Sequence, residues 1–397
     1  MKRPTVIVIG SSDVIKLSLI RSFGELGYKV ISIHLGNGRK AIIKPLDYYS
    51  KYVCTYHFVT KSNLIDFLVK NCTDNDCKPV LFPLDDGSVY TIDQAHHLLE
   101  KHFYYANINH KEGGIVKLMD KSIQKAKASE AGLNVAKGWK IPYVNGGYII
   151  PHEIEYPCFV KGELSYGGSK TLQRKCDNYE ELLKLLDESS STSKISLIAE
   201  EFLPVDKEIG IMGVSNENAC IVPVMVEKTE IGQGTSNGVT MQGRIVFTHE
   251  TDKIIQSIKA FLKNIQYNGV SNFDFIESKG KLFFLEINFR YAAYGYGASS
   301  AGLNLTNMFV ESFYEKKLGS TNPITNKELF IFNEKIGLHN VLERFITWSK
   351  YKSLKRDSDC LLVKSKEDPK PYRMFFISVG QRYVRRLLRN VYYKLFH

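Results

Sequence analysis

The chain has 397 residues, 44% hydrophobic and 24% charged, which suits a globular protein of two or three domains with a sizeable core. No apolar run approaches the roughly 20 residues of a membrane span, and Met1-Lys2-Arg3-Pro4 leads straight into a strand, so no secretory leader is expected. The net charge of +11 is uneven: residues 370–397 hold seven Lys or Arg and no Asp or Glu, leaving only +4 elsewhere, which argues against a nucleic-acid-binding body.

The seven cysteines are scattered and form no C-x-x-C pair, so neither a zinc site nor a disulfide framework is expected, and a reducing cytoplasm fits them. In chain order, Thr5–Ile9 reads as a buried strand. Gly10-Ser11-Ser12-Asp13 follows, then a helix through Leu17, Ile20, Phe23 and Leu26 that Gly27 stops before the strand Val30–Ile33. Strand–helix–strand predicts a parallel sheet with a right-handed crossover. A third strand, Pro79–Pro83, ends at Leu84-Asp85-Asp86-Gly87, where open α/β sheets bind ligands. Gly10 lacks the spaced glycines of a dinucleotide fingerprint, so NAD is not expected. This first domain spans 1–112.

Asp120 or Ser122 caps a helix running to Ala131. Pro157-Cys158-Phe159-Val160-Lys161 reads as a buried strand carrying one lysine, which needs a partner there. The loop Gly162–Lys170 follows, with Gly167, Gly168 and Ser169 able to wrap a phosphate in backbone N–H groups. A helix over Asn178–Leu186, a polar linker Ser189–Ser193 and a strand Ile195–Ala199 lead into Glu200-Glu201-Phe202-Leu203 and on to Glu208. Strands near 209–214, 221–226, 244–248, 270–276 and 282–288 and helices near 252–264 and 306–314 complete a mixed chain, α/β at first and α+β after.

In Asn272–Ile276 and Phe284–Asn288, polar and apolar residues alternate, so Glu286 and Asn288 share a face. Ser278-Lys279-Gly280-Lys281 has hairpin chemistry and brings Asp274 beside them. Three hard oxygen donors suit Mg²⁺ shared with nucleotide phosphates, and Arg290 suits a carboxylate or phosphate.

Taken in order, these motifs resemble the ATP-grasp superfamily of carboxylate–amine ligases, including its D-aspartate ligase-like and carbamoyl phosphate synthetase-like members. The resemblance runs from about Val6 to Glu315. It implies the ATP-grasp fold with an N-terminal Rossmann-like pre-ATP-grasp domain (1–112), a small lid subdomain (113–199), a catalytic sheet subdomain (200–320) and a C-terminal extension (321–397). It further implies that Lys121 and Lys161 hold ATP phosphates and that Gly167-Gly168-Ser169 closes over the γ-phosphate. Glu200, Glu201, Phe202 and Leu203 would form the adenine hinge, and Glu208 would bind ribose. Asp274, Glu286 and Asn288 would carry Mg²⁺, with Mn²⁺ as the alternative, and Arg290 would stabilise an acyl phosphate. Phe289 stands where many relatives have proline or threonine.

The implied reaction joins a small-molecule carboxylate to an amine. Carboxylate–thiol ligation, kinase-like transfer and a silent nucleotide-binding module are the alternatives. Asp85-Asp86-Gly87 and His110-Lys111 are expected to face the site, and the glycine-rich loop Lys228–Gly238 to fold over an acceptor. Tyr291, Tyr294 and Tyr296 suit either a sugar or amino-acid surface or half-buried packing. In the tail, Val384, Leu387, Leu388, Val391 and Leu395 oppose Arg382, Arg385, Arg386 and Arg389 on a helical wheel. That stripe suits an anionic membrane surface on the cytoplasmic side, near a cell-envelope or polysaccharide precursor. It equally suits docking on the body or on a second subunit of a homodimer.

Overall fold

The computed structural model describes residues 3–36, 44–164, 173–192, 194–236, 238–249, 251–315, 318 and 328–381. The expected Gly167-Gly168-Ser169 phosphate loop and the stripe beyond residue 381 lie outside these residues.

The first sheet is parallel, with strands ordered Val53–Val59, Val30–Leu35, Val6–Gly10, Val80–Pro83. The helix Asp13–Gly24 buries Leu17, Ile20 and Phe23, residues three apart that form one face. At the carboxyl end of the fourth strand, Asp85 caps the helix Asp86–Asp93 and accepts a hydrogen bond from Ser11 N at 2.9 Å. Asp85 therefore ties the strand ends together, while Asp86 points elsewhere.

The second sheet is antiparallel, ordered Arg174–Cys176, Cys158–Gly162, Leu197–Glu201, Gly138–Ile141. The helix Tyr179–Thr192 lays Leu182, Leu185 and Leu186 onto Val160, Cys176, Leu197 and Ala199. Burying each leucine contributes about 1.5–3 kcal/mol. This helix runs through Ser189–Thr192, where a linker was expected; the serine and threonine hydroxyls bond back to carbonyls of Asp187, Glu188 and Ser189 and are accommodated in its last turn.

The large sheet is ordered Lys281–Asn288, Tyr267–Ser278, Lys207–Ser215, Cys220–Ile231, Thr240–Phe247, Leu329–Phe332, Cys360–Leu361, with Asn107–Ile108 beside Tyr267 and Asn268. Two strands after residue 320 thus extend the sheet. The strand Cys220–Ile231 continues past Val226, so Lys228–Ile231 are sheet residues and only the following residues form the loop.

The C-terminal segment is fastened to the first domain. Arg21, fully buried, pairs with Asp368 at 3.1 Å and donates to the carbonyls of Leu362, Val363 and Asp368. Asp368 also accepts from Ser50 Oγ at 2.8 Å and Lys51 N at 3.0 Å. The helix over 370–381 buries Phe375 in the main core cluster.

Candidate active site

The hairpin Tyr267–Ser278/Lys281–Asn288 forms as expected, with Lys279 (φ 50°) and Gly280 (φ 72°) both left-handed in the turn. Its register sets Asp274 directly opposite Glu286 and Asn272 opposite Asn288. A bulge at Leu285 lets Phe284 and Ile287 both point inward while Glu286 keeps the face of Asp274. Asp274 Oδ2 accepts from Asn288 Nδ2 at 2.8 Å and from Asn272 Nδ2 at 3.2 Å. Burial pushes the Asp274 carboxyl above its ordinary value; Lys228 opposes this and Glu286 adds to it.

Two carboxylates held opposite one another with an amide alongside are hard oxygen donors of the kind a divalent cation such as Mg²⁺ takes. Among the described residues no group of three or more His, Cys, Asp or Glu forms a closed cage.

Arg290 donates from Nε to Asp86 Oδ1 at 2.8 Å and from Nη2 to Asn288 Oδ1 at 3.1 Å. It bridges the first domain and the hairpin that carries the paired carboxylates. Asp86 thus reaches the site as expected; His110 does not. His110 Nε2 sits 2.8 Å from Glu217, near Asn268, at the other end of the strand that carries Asp274. Six residues of strand separate Asn268 from Asp274, roughly 20 Å.

Lys121 opens the helix Lys121–Glu130, where Asp120 caps Ser122 N and Ile123 N. It is buried: Nζ lies 3.3 Å from Gly162 O, 3.5 Å from Leu164 O and 3.8 Å from Glu286 Oε2. Burial lowers its pKa, partly offset by Glu286. Gln124, one turn on, accepts from Ile287 N at 3.0 Å and donates to Leu118 O at 2.7 Å, fixing this helix to the strand that carries Glu286 and Asn288.

Lys161 faces Ile198 in register, so Glu200 is its diagonal neighbour on the same sheet face, at 2.9 Å. Lys125 Nζ meets the same Glu200 Oε1 at 2.7 Å. Burial alone would raise the Glu200 carboxyl; the two ammonium groups hold it below its ordinary value. At the hinge, Glu201 N and Phe202 N donate to the carbonyls of Lys137 and Pro157, and Glu201 Oε1 accepts from Lys137 N at 3.1 Å. Lys175 covers the Phe202 ring at 4.8 Å, and Leu203 follows in the extended chain.

Glu208 pairs with Lys228 at 2.9 Å, and Lys228 is 3.7 Å from Asp274. Burial would lower the Lys228 pKa, but Asp274 and Glu208 raise it instead. Both residues line a cavity of about 580 Å³ with Gln233, Gly234 and Phe345. Tyr291, Tyr294 and Tyr296 are buried, in keeping with packing: Tyr294 donates to Asn272 Oδ1, and Tyr296 donates to Glu25 Oε1 at 2.6 Å.

Sequence reading missed Lys125 and Gln124, and placed Lys228 in a loop over an acceptor rather than in the strand beside Asp274. The signals were present: Lys125 is one turn from Lys121, and Lys228 keeps the inward parity of Val222, Val224 and Val226.

A parallel α/β domain, a small antiparallel sheet and a large antiparallel sheet thus meet at buried lysines and paired carboxylates. Residues 120–307 match the family model of the carbamoyl-phosphate synthase L chain ATP-binding domain. D-alanine--D-alanine ligase of Bacillus cytotoxicus is 27% identical over 226 residues, 53% of this chain and 60% of that relative. This chain thus aligns with under two thirds of the curated relative's length.

Among solved structures, an ADP complex of the purK protein N5-carboxyaminoimidazole ribonucleotide synthetase superposes with a TM-score of 0.63 at 16% identity, covering 87% of this chain and 86% of that one. The L-amino acid ligase of Bacillus licheniformis gives 0.60 at 13% identity, covering 83% and 80%. The N5-carboxyaminoimidazole synthetase of Staphylococcus aureus gives 0.61 at 15%, covering 93% and 92%. At these identities the likeness is one of fold.

Proposed function

We propose that the protein is an ATP-dependent carboxylate–amine ligase. The observation that carries the reading is the convergence of Lys121, Lys161, Asp274, Glu286, Asn288 and Arg290, drawn from separate elements, onto one region that Asp86 of the first domain also reaches. The match of residues 120–307 to an ATP-binding domain model and the likeness to a ligase support it.

In this reading Lys121 and Lys161 bind the ATP phosphates, and the Gly167-Gly168-Ser169 segment covers them. Glu200, Glu201, Phe202 and Leu203 face the adenine, with Glu201 N and Phe202 N already committed to the sheet edge. Glu208 takes the ribose hydroxyls. Asp274, Glu286 and Asn288 would hold Mg²⁺ (Mn²⁺ as the alternative), which when bound neutralises phosphate charge and orients the γ-phosphate.

A substrate carboxylate attacks that phosphate, giving ADP and an acyl phosphate; an amine then displaces phosphate. Positioned positive charge supplies most of the stabilisation such a transfer needs. Arg290, pre-set by Asp86 and Asn288, orients the acyl-phosphate oxygens, and Lys228 holds a positive charge beside Asp274.

The test is Mg²⁺-dependent ADP release by the purified protein against a panel of amino acids and uronic acids. One carboxylate–amine pair should stimulate turnover, and Glu286→Gln should lower it at least about 100-fold. Turnover unaffected by Glu286→Gln, or no ATP binding at all, would sink the reading.

A finer reading places the enzyme in the cytoplasm at the inner membrane face, acting on an envelope precursor. It rests on the charge of residues 370–397. Among the described residues no helix is long and apolar enough to cross a membrane. Because Phe375 belongs to the core, the truncation that tests this starts at residue 382. Loss of sedimentation with anionic liposomes, with ATP turnover intact, is expected; unchanged sedimentation refutes it.

A further inference from the structure

We infer that Lys125 is a positioning residue for nucleotide binding: it serves as the standing counter-ion of Glu200, which frees Lys161 to leave that carboxylate for an incoming polyphosphate. The inference rests on the ATP-dependent reading above.

Lys125 and Lys161 approach the same oxygen, Glu200 Oε1, at 2.7 and 2.9 Å, and all three side chains are at most a tenth exposed. One carboxylate therefore answers two ammonium groups. Lys121 adds a third cation nearby, with Glu286 at 3.8 Å and weaker opposition from Glu200 and Asp86. A buried excess of positive charge is costly, and an anion cancels it.

The two Glu200 partners are not equivalent. Lys161 immediately precedes Gly162, whose carbonyl Lys121 Nζ contacts, so Lys121 and Lys161 border the same segment. Lys125 lies one turn further along the helix and, among the described residues, meets Glu200 alone of the acids within ion-pair distance. If Lys161 turned to a phosphate with no second cation present, Glu200 would be left buried and unpaired, and binding would be weakened by that penalty. With Lys125 in place the carboxylate keeps one partner throughout.

The charged groups acting on Lys125 are Glu200 and Glu201 on one strand and Lys161 on the next, and Lys121 precedes it by one turn on its own helix. Burial pushes Lys125 down to about 8, Glu200 opposes, and the nearby Lys161 adds to the depression. Phosphate binding to Lys161 removes that repulsion and leaves Glu200 to Lys125. Binding should then take up a proton, so affinity should fall as pH rises through about 8.

The experiment is calorimetric titration of the full chain with Mg²⁺ and ADP, in buffers of different ionisation heat, from about pH 7.5 to 9. Proton uptake is expected in the wild type. Lys125→Met should weaken binding about tenfold to a hundredfold and abolish the uptake. Lys125→Arg, which keeps its charge throughout, should restore most of the affinity without the uptake. Wild-type affinity and uptake in Lys125→Met would overturn the inference. Should that variant fail to fold, binding without uptake in the wild type, or uptake retained in Lys125→Arg, would overturn it. A wild type that binds no nucleotide overturns the ligase reading and this inference together; binding indifferent to Lys125 overturns this inference alone.

Discussion

Lys228 stands between Glu208 and Asp274 at 2.9 and 3.7 Å, and its loss would leave two acids close together without their shared cation. Lys228→Met is therefore expected to lower ADP release by about 100-fold or more while leaving the fold intact by circular dichroism. Unaltered turnover would show that Lys228 only packs. Gly210 lies opposite Asp274 in register, and a Cβ there would come within 2.3 Å of the Tyr294 hydroxyl that bonds Asn272. The tyrosine is buried and cannot swing away. Gly210→Ala should destabilise by about 1–3 kcal/mol in urea melts and also weaken metal-dependent turnover. Glu286, Asn288 and Asp274 were legible in the sequence because strand alternation and a two-residue turn fix which side chains share a face. Lys125 was not, because what gives it a role is Glu200, 75 positions away and reached only after folding.

Among the elements, the helix Lys121–Glu130 has the widest reach: its first two turns touch the small sheet through Lys121 and Lys125 and the hairpin through Gln124. Gln124 gives that junction its geometry, since it satisfies the Ile287 N–H in the interior. Replacing it by methionine leaves that donor unpaired, a cost of about 1–3 kcal/mol. The expected signature in kinetics is a raised KM for ATP with kcat changed less, because Lys121 shifts while the carboxylates stay in place. A fall in kcat alone would refute this. The hairpin itself was readable from Gly280, which takes positive φ without strain in a tight turn flanked by alternating strands. Its bulge at Leu285 was not, because an extra residue leaves no mark on local composition. The same limit explains the strand running on through Lys228–Ile231: glycines further along suggested a loop, and pairing with Thr240–Phe247 overrode them.

For the whole molecule, the order of the α/β domain, the lysine-bearing sheet and the carboxylate hairpin followed from periodicity and turn residues. The closure of the chain on itself did not. Arg21 is an ordinary helical arginine in the sequence, yet it is sealed from solvent by Asp368 and three carbonyls. Breaking a buried pair by removing one partner costs about 3–5 kcal/mol. Asp368→Ala should lower the unfolding free energy by about that amount, read from the urea midpoint at unchanged slope. A loss below about 1 kcal/mol would mean that the carbonyls alone satisfy the guanidinium.

That clasp also bears on how the protein is made. Arg21 and Asp368 are 347 residues apart, so at roughly 5–20 residues per second the ribosome delivers the partner on the order of tens of seconds after the arginine. Through that interval the nascent first domain has its sheet but not its seal, and an uncovered guanidinium faces a half-built interior. Completion of the N-terminal domain is therefore a late event in synthesis, set by the arrival of the C-terminal segment.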